Sequence, residues 1–271
     1  MTIKSDSGRR WVEISVVLPG TPERIWKAFA TGPGMNAWFT PATVEEHIGG
    51  ALRFHFGGGV STVGSVTSWQ PPVRFAYEER DWSKGEVPPL ATEIVITARS
   101  GDECVVRMVH SLFTTSARWD DELEGFERGW PGFFEILGMY LRHFNDEPAA
   151  SARAMSVTPG TYADAWRSVS AALGLAGASL GDRRRAPDGA PPLAGVVQRV
   201  AQGGSACEIM LRLEEPGPGI ALIGTHDFEG QARISMSLFF YGANAAELAK
   251  QAEPTWAAWL EETYPASARA S

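Results

Sequence analysis

Apolar and polar positions alternate with a period of two through the middle of the first half of the chain. Leu52, Phe54 and Phe56 alternate with Arg53 and His55, Phe75 and Tyr77 with Ala76 and Glu78, and Ile94 and Ile96 with Val95 and Thr97. Val106, Met108, His110 and Leu112 share one side of a further run. Gly49-Gly50, Gln70-Pro71-Pro72 and Ser100-Gly101-Asp102 separate these runs, which predicts consecutive strands of an antiparallel meander. Over residues 118–144 the period changes to 3.6. Trp119, Leu123, Phe126, Trp130, Phe133, Leu137, Tyr140 and Phe144 form one helical stripe. Pro131 interrupts it, predicting a kink or a second segment opening near Trp130. A sheet with one apolar face needs cover, and this stripe matches it. The expected fold class is α+β, a curved antiparallel sheet wrapped around a long helix and enclosing a mostly apolar pocket.

The chain also repeats its opening. Pro19-Gly20-Thr21 precedes Trp26 by five residues, and Pro159-Gly160-Thr161 precedes Trp166 by five. Each reads as a strand, a turn and a Thr-capped helix, with Pro22 at the first helical position and a Thr161/Asp164 capping-box spacing. A late helix over 244–263, with Leu248, Trp256, Trp259 and Leu260 on one face and Pro254 inside, echoes the stripe of the first half. From Trp26 to Pro131 is 105 residues and from Trp166 to Pro254 is 88, a deficit of about one hairpin. The expected organisation is a domain at 10–146 and a shorter α+β domain at 155–265, a reduced copy of the first, with the boundary in Asn145–Ala154.

Composition narrows the partners. The net charge is −8, and the one dense basic run, Arg183-Arg184-Arg185, sits in Gly/Pro/Asp-rich sequence and reads as solvated linker, so nucleic acid is not expected. Cys104 and Cys207 are too few for a disulfide framework or a thiolate metal site. A polar N-terminus and the lack of any long apolar run make no membrane and a cytoplasmic location the expectation. Ten tryptophans suit either a generous core or an aromatic-lined pocket.

Candidate chemistry is sparse. His55 should face away from Phe54 and Phe56, whereas His110 shares the side of Met108 and Leu112 and is the better pocket histidine. No metal or cofactor is expected, because the five histidines show no ligand spacing. Glu45-Glu46, Glu78-Glu79 and Asp120-Asp121-Glu122 read as solvated pairs, with Asp120 or Asp121 a candidate helix cap. Gly57-Gly58-Gly59 lies between strands and reads as a hairpin rather than a phosphate cradle, and no Gly-x-Ser-x-Gly occurs. The residues expected around a cavity or its mouth are Trp38, Phe39, Phe54, Phe56, Trp69, Tyr77, Trp82, Met108, His110, Trp130, Phe134 and Leu137. Trp130 and Phe134 are expected at its floor, and Trp82 in a lid over Asp81–Leu90.

Several segments together carry a family resemblance: Pro-Gly-Thr-Pro-Glu-Arg-Ile-Trp-Lys-Ala-Phe at 19–29, Met35-Asn-Ala-Trp38-Phe39, Ile48-Gly-Gly-Ala-Leu-Arg-Phe54, Trp69-Gln-Pro-Pro-Val-Arg-Phe75, and Gly129-Trp130 in the final helix. Residues 11–144 resemble the activator of heat-shock-protein-90 ATPase-like family of the START-like, birch-pollen-allergen-like superfamily. That resemblance implies a helix-grip fold around a cavity but no single activity. The leading expectation is therefore binding of an apolar or aromatic small molecule, with the second domain buttressing the first or pairing two copies in a homodimer. The alternatives are a polyketide-cyclase-like or hydrolase-like enzyme using His110 or Tyr77, and a chaperone-accessory protein.

Overall fold

The computed structural model describes residues 3–57, 60–83, 85–203, 206–228 and 230–265. The chain divides into two compact units, residues 1–146 and 147–271.

The first unit runs β1 (Lys4–Ser5), β2 (Arg10–Pro19), α1 (Pro22–Ala30), α2 (Gly32–Asn36), β3 (Ala42–Val44), β4 (Ala51–Gly57), β5 (Val60–Gln70), β6 (Arg74–Glu79), β7 (Leu90–Arg99), β8 (Glu103–Leu112) and α3 (Asp120–His143). Every strand pairing is antiparallel, in the order β1-β2-β8-β7-β6-β5-β4-β3, so the meander closes back on the first long strand. The period-two residues face inward: Leu52, Phe54, Phe75, Ile94, Val106 and Met108 are buried. Thr21 caps α1 by accepting from the Arg24 N–H at 3.5 Å, with Pro22 next to it. Gly58 and Gly59 of the expected hairpin lie outside the described residues; the strands on either side, β4 and β5, are antiparallel neighbours.

Two expectations about the long helix change. Of the two alternatives at Pro131, the second segment does not occur: Pro131 sits inside one continuous helix of 24 residues. Its ring is on the exposed side, where a lost backbone bond is met by solvent. Neither Asp120 nor Asp121 caps the helix, because the N-cap is Trp119, without a side-chain cap bond. Asp120 instead holds Arg10 of β2 in a two-pronged pair, Nε–Oδ1 at 2.7 Å and Nη2–Oδ2 at 2.6 Å. That pair anchors the start of α3 to the sheet, where Leu123 packs with Val12, Leu90 and Leu112.

The second unit runs β9 (Ala149–Thr158), α4 (Tyr162–Ala172), β10 (Arg183–Arg185), β11 (Ala194–Gly203), β12 (Ala206–Glu215), β13 (Gly219–Phe228), β14 (Gln231–Tyr241) and α5 (Ala245–Thr263). Its sheet order, β10-β11-β12-β13-β14-β9, is the same winding: the first strand pairs with the last, and the rest follow backwards. Among the described residues five strands follow its first helix, against six in the first unit, so the unit is a shortened copy of the fold. Ala149–Thr158 places a strand inside the segment expected to link the domains. Arg183–Arg185 is an edge strand rather than linker; Arg183 pairs with Glu214 and Arg185 with Glu215. Charged side chains on such an edge discourage pairing with another chain. None of the described helices is long and apolar enough to cross a membrane.

Trp38, fully buried, donates from its indole N–H to the Ala28 carbonyl at 3.0 Å and packs against Phe29 and Phe134. Trp38→Ala is expected to cost about 3–5 kcal/mol, read by chemical denaturation of the full chain.

Candidate functional site

Register brings the site together. Tyr77 of β6 lies opposite Thr92 of β7, and Thr92 lies opposite His110 of β8. The three form one row across the inner face of the sheet. Two residues along, Glu79 lies opposite Leu90, and Leu90 opposite Leu112. Facing these rows is one side of α3, where Gly125, Phe126, Gly129, Trp130 and Phe133 recur at helical spacing. Together with Phe39, Phe54, Phe56, Thr62 and Trp82 they enclose a cavity of about 230 Å³.

Most of its surface is aromatic. Trp130 packs against Phe39 (centroids 4.9 Å), Phe133 (6.0 Å) and the imidazole of His110, which stacks on it at 5.5 Å and 13°. Phe126 covers His110 as well, at 5.2 Å. Trp82 meets Trp119 and Phe126, both at 5.7 Å, and donates from its indole N–H to the Pro88 carbonyl at 2.8 Å. The connection between β6 and β7 is thus folded back on itself at one end of the cavity.

Polar groups interrupt this surface on the sheet side. Thr92 Oγ1 and His110 Nδ1 are 3.0 Å apart, and Thr92 also hydrogen-bonds Tyr77. His110 Nε2 is buried and has no partner. Thr62 donates to Glu79 Oε1 at 2.5 Å. Gly64 opposite Glu79 leaves room for that carboxyl: a Cβ there would lie 3.1 Å from Glu79 Cγ and 2.6 Å from the Glu78 carbonyl oxygen. Burial disfavours every charge here. It pushes the imidazole of His110 down to about 3, so the ring is neutral near pH 7. It raises the Tyr77 phenol, and it raises the Glu79 carboxyl against the opposing hydrogen bond from Thr62.

Seven of the expected residues line the cavity: Phe39, Phe54, Phe56, Tyr77, Trp82, His110 and Trp130. The other five lie elsewhere. Trp38, Phe134, Met108 and Leu137 are core residues, and Phe134 is buried against Phe29 and Trp38 behind Trp130 rather than at the cavity floor. Trp69 packs edge-on against Trp26 at 5.0 Å and Phe75 at 5.6 Å. His55 faces outward and meets Ser61 at 3.1 Å. Glu79 overturns its reading as a solvated carboxylate, since it is 7% exposed and lines the cavity. Its signal was present in the strand period: 75, 77 and 79 share one side. Phe126 and Phe133 belong to the helical stripe and could have been found the same way. Thr62, Leu90, Gly125 and Gly129 carried no comparable mark.

A sheet curled around a C-terminal helix, with an aromatic cavity between them, is a helix-grip arrangement. Residues 19–142, within the first unit, match the family described as activator of Hsp90 ATPase homolog 1-like protein. A search of the curated proteins gives no match. Among solved structures, the chain is similar to DynU16, described as a putative protein in the dynemicin biosynthetic locus, at 17% identity over 93% of this chain and 98% of that one, TM-score 0.44. It is also similar to CalU16 from Micromonospora echinospora (18%, 50% and 78%, TM-score 0.41). The Aha1 dimer from Colwellia psychrerythraea is a third (18%, 49% and 96%, TM-score 0.40).

The raised carboxyl sets a sign for stability. Glu79 takes up its proton more readily folded than unfolded, so its contribution is full below the ordinary carboxyl value and is lost as pH rises through the folded value. Glu79→Gln should leave low-pH stability nearly unchanged. It should then gain on the native protein with rising pH by up to about 1.4 kcal/mol per unit within that window. Melting temperatures of both proteins from pH 4 to 8 check this; parallel curves would contradict a buried neutral carboxyl.

Proposed function

We propose that the first unit binds an uncharged aromatic or apolar small molecule in the cavity between its sheet and α3. The observation behind the reading is a space of about 230 Å³ walled by aromatic rings with a few converging polar groups. Small-molecule sites commonly have that composition. An engineered apolar cavity of about 150 Å³ takes benzene, so this one has room for roughly two fused rings. Among the described residues its lining contains no lysine or arginine, so a carboxylate or phosphate would meet no countercharge from them.

A cyclase-like or hydrolase-like reaction using His110 or Tyr77 is the second reading, favoured by titratable groups at the cavity wall. A neutral-pH acid–base catalyst works best with its pKa near the operating pH. Here burial drives the imidazole far below that value and the phenol above its ordinary one. Holding a ligand fits these groups better than proton transfer does. A chaperone-accessory role and a homodimer rest on the family resemblance alone.

The helix offers a test that separates binding from folding. Gly125 and Gly129 are exposed at the cavity wall, and a Cβ at either would meet nothing within 4 Å. Glycine inside a helix normally costs about 0.5–1 kcal/mol relative to alanine. Gly129→Leu is therefore expected to leave the protein as stable as before, or slightly more so. It should weaken binding of a neutral aromatic probe such as naphthalene at least tenfold, followed by quenching of tryptophan fluorescence. Unchanged binding in a folded Gly129→Leu protein would place the probe elsewhere.

A further inference from the structure

The walls of this cavity contain more polar machinery than the holding of a hydrocarbon requires. The imidazole of His110 stacks on Trp130 at 5.5 Å and meets the tilted ring of Phe126 at 5.2 Å, so hydrogen bonds are left to its edge. One nitrogen of that edge, Nδ1, is taken by Thr92 at 3.0 Å. The other, Nε2, is buried on a residue that lines the cavity and has no partner among the described residues. An unpaired buried polar atom costs stability, and where one persists it calls for an explanation. The second polar group, Glu79, has Oε1 occupied by Thr62. Burial raises its carboxyl pKa against the hydrogen bond from Thr62.

We propose that the cavity selects an uncharged aromatic molecule bearing a hydroxyl group, a phenol, whose hydroxyl bonds His110 Nε2. The proposal rests on the binding function given above and adds the chemical class of the ligand. A hydroxyl is the group that fits whichever tautomer the ring holds. If Thr92 donates to Nδ1, Nε2 carries the proton and the ligand oxygen accepts it. If Nδ1 carries the proton, the ligand hydroxyl donates to Nε2. A hydrocarbon would leave Nε2 unpaired. A carboxylate would bring a charge into a cavity whose described lining residues include the carboxyl of Glu79 and no cation. Thr92 then acts as a positioning residue, because it fixes the imidazole through Nδ1.

Isothermal titration of the full chain with naphthalene, 2-naphthol and 2-naphthoate at pH 7.5 tests this, with His110→Phe as the variant that keeps a stacked ring. The expected result is at least tenfold tighter binding of 2-naphthol than of naphthalene, with 2-naphthoate the weakest of the three. His110→Phe should bring 2-naphthol down to the affinity of naphthalene while naphthalene itself still binds. If His110→Phe fails to fold, the ranking on the native protein decides the matter. Equal binding of naphthalene and 2-naphthol, preference for 2-naphthoate, or a preference for 2-naphthol that survives in His110→Phe would overturn the proposal while leaving aromatic binding intact. Failure of all three probes to bind would overturn the binding function itself, and this proposal with it.

Discussion

The constraint on which the first unit depends is the pairing register of three neighbouring strands. A slip of one residue between β6, β7 and β8 would turn a whole strand inside out. Tyr77, Thr92 and His110 would then no longer share a face. In register, they satisfy one another along a row perpendicular to the strands, so polar groups sit within an apolar interior without direct access to water. The row can be held because its surroundings are fixed. Apolar residues flank it on the same strands, Ile94 and Met108 on one side and Leu90 and Leu112 on the other, all buried. Trp130 and Phe126 press on its end from the helix. A single atom, His110 Nε2, is left over, and it lies at the cavity.

The second unit shows that the fold alone does not demand this arrangement. Its last strand, β14, holds the same place in the winding as β8. The buried alternating positions there are Ala232, Ile234, Met236, Leu238 and Phe240, apolar throughout, where β8 has Cys104, Val106, Met108, His110 and Leu112. These residues join Trp166, Val169, Trp256 and Leu260 from α4 and α5 in a single hydrophobic cluster. One copy of the winding thus carries a polar row at the wall of an aromatic cavity, and the other presents an apolar strand to its helices. Proteins keep buried polar groups where they are satisfied or used, and the row of the first unit is satisfied except at His110 Nε2.

Much of the fold could be read from the chain because period and punctuation are local. The strands around Phe54, Tyr77, Ile94 and Met108, the Thr21 and Thr161 caps and the repeated opening all follow from residues a few positions apart. Site membership was less legible, because period tells which face a residue occupies and not how far along the face the cavity lies. Met108 and His110 are neighbours on one side of β8, and only His110 reaches the cavity. Trp130 and Phe134 are one helical turn apart, and only Trp130 does. Glu79 was hidden for a different reason. Its charge suggested solvent, although its position in step with Phe75 and Tyr77 placed it inside, and the room for it depends on Gly64 of a neighbouring strand. Arg183–Arg185 looked like linker because an edge strand of three arginines, each held by a nearby carboxylate, has no apolar pattern to reveal it.

His110 is neutral near pH 7 and lines the cavity, with Nε2 unpaired among the described residues. The most direct measurement is the nitrogen-15 spectrum of the imidazoles across pH 5 to 8, with and without a neutral aromatic hydroxyl compound. The signals of His110 should stay those of one neutral ring over the whole range, and Nε2 should move on addition of the compound while Nδ1 stays near its original shift. Titration of His110 near the ordinary histidine value of about 6.5, or an Nε2 signal unmoved by a compound that binds, would contradict it.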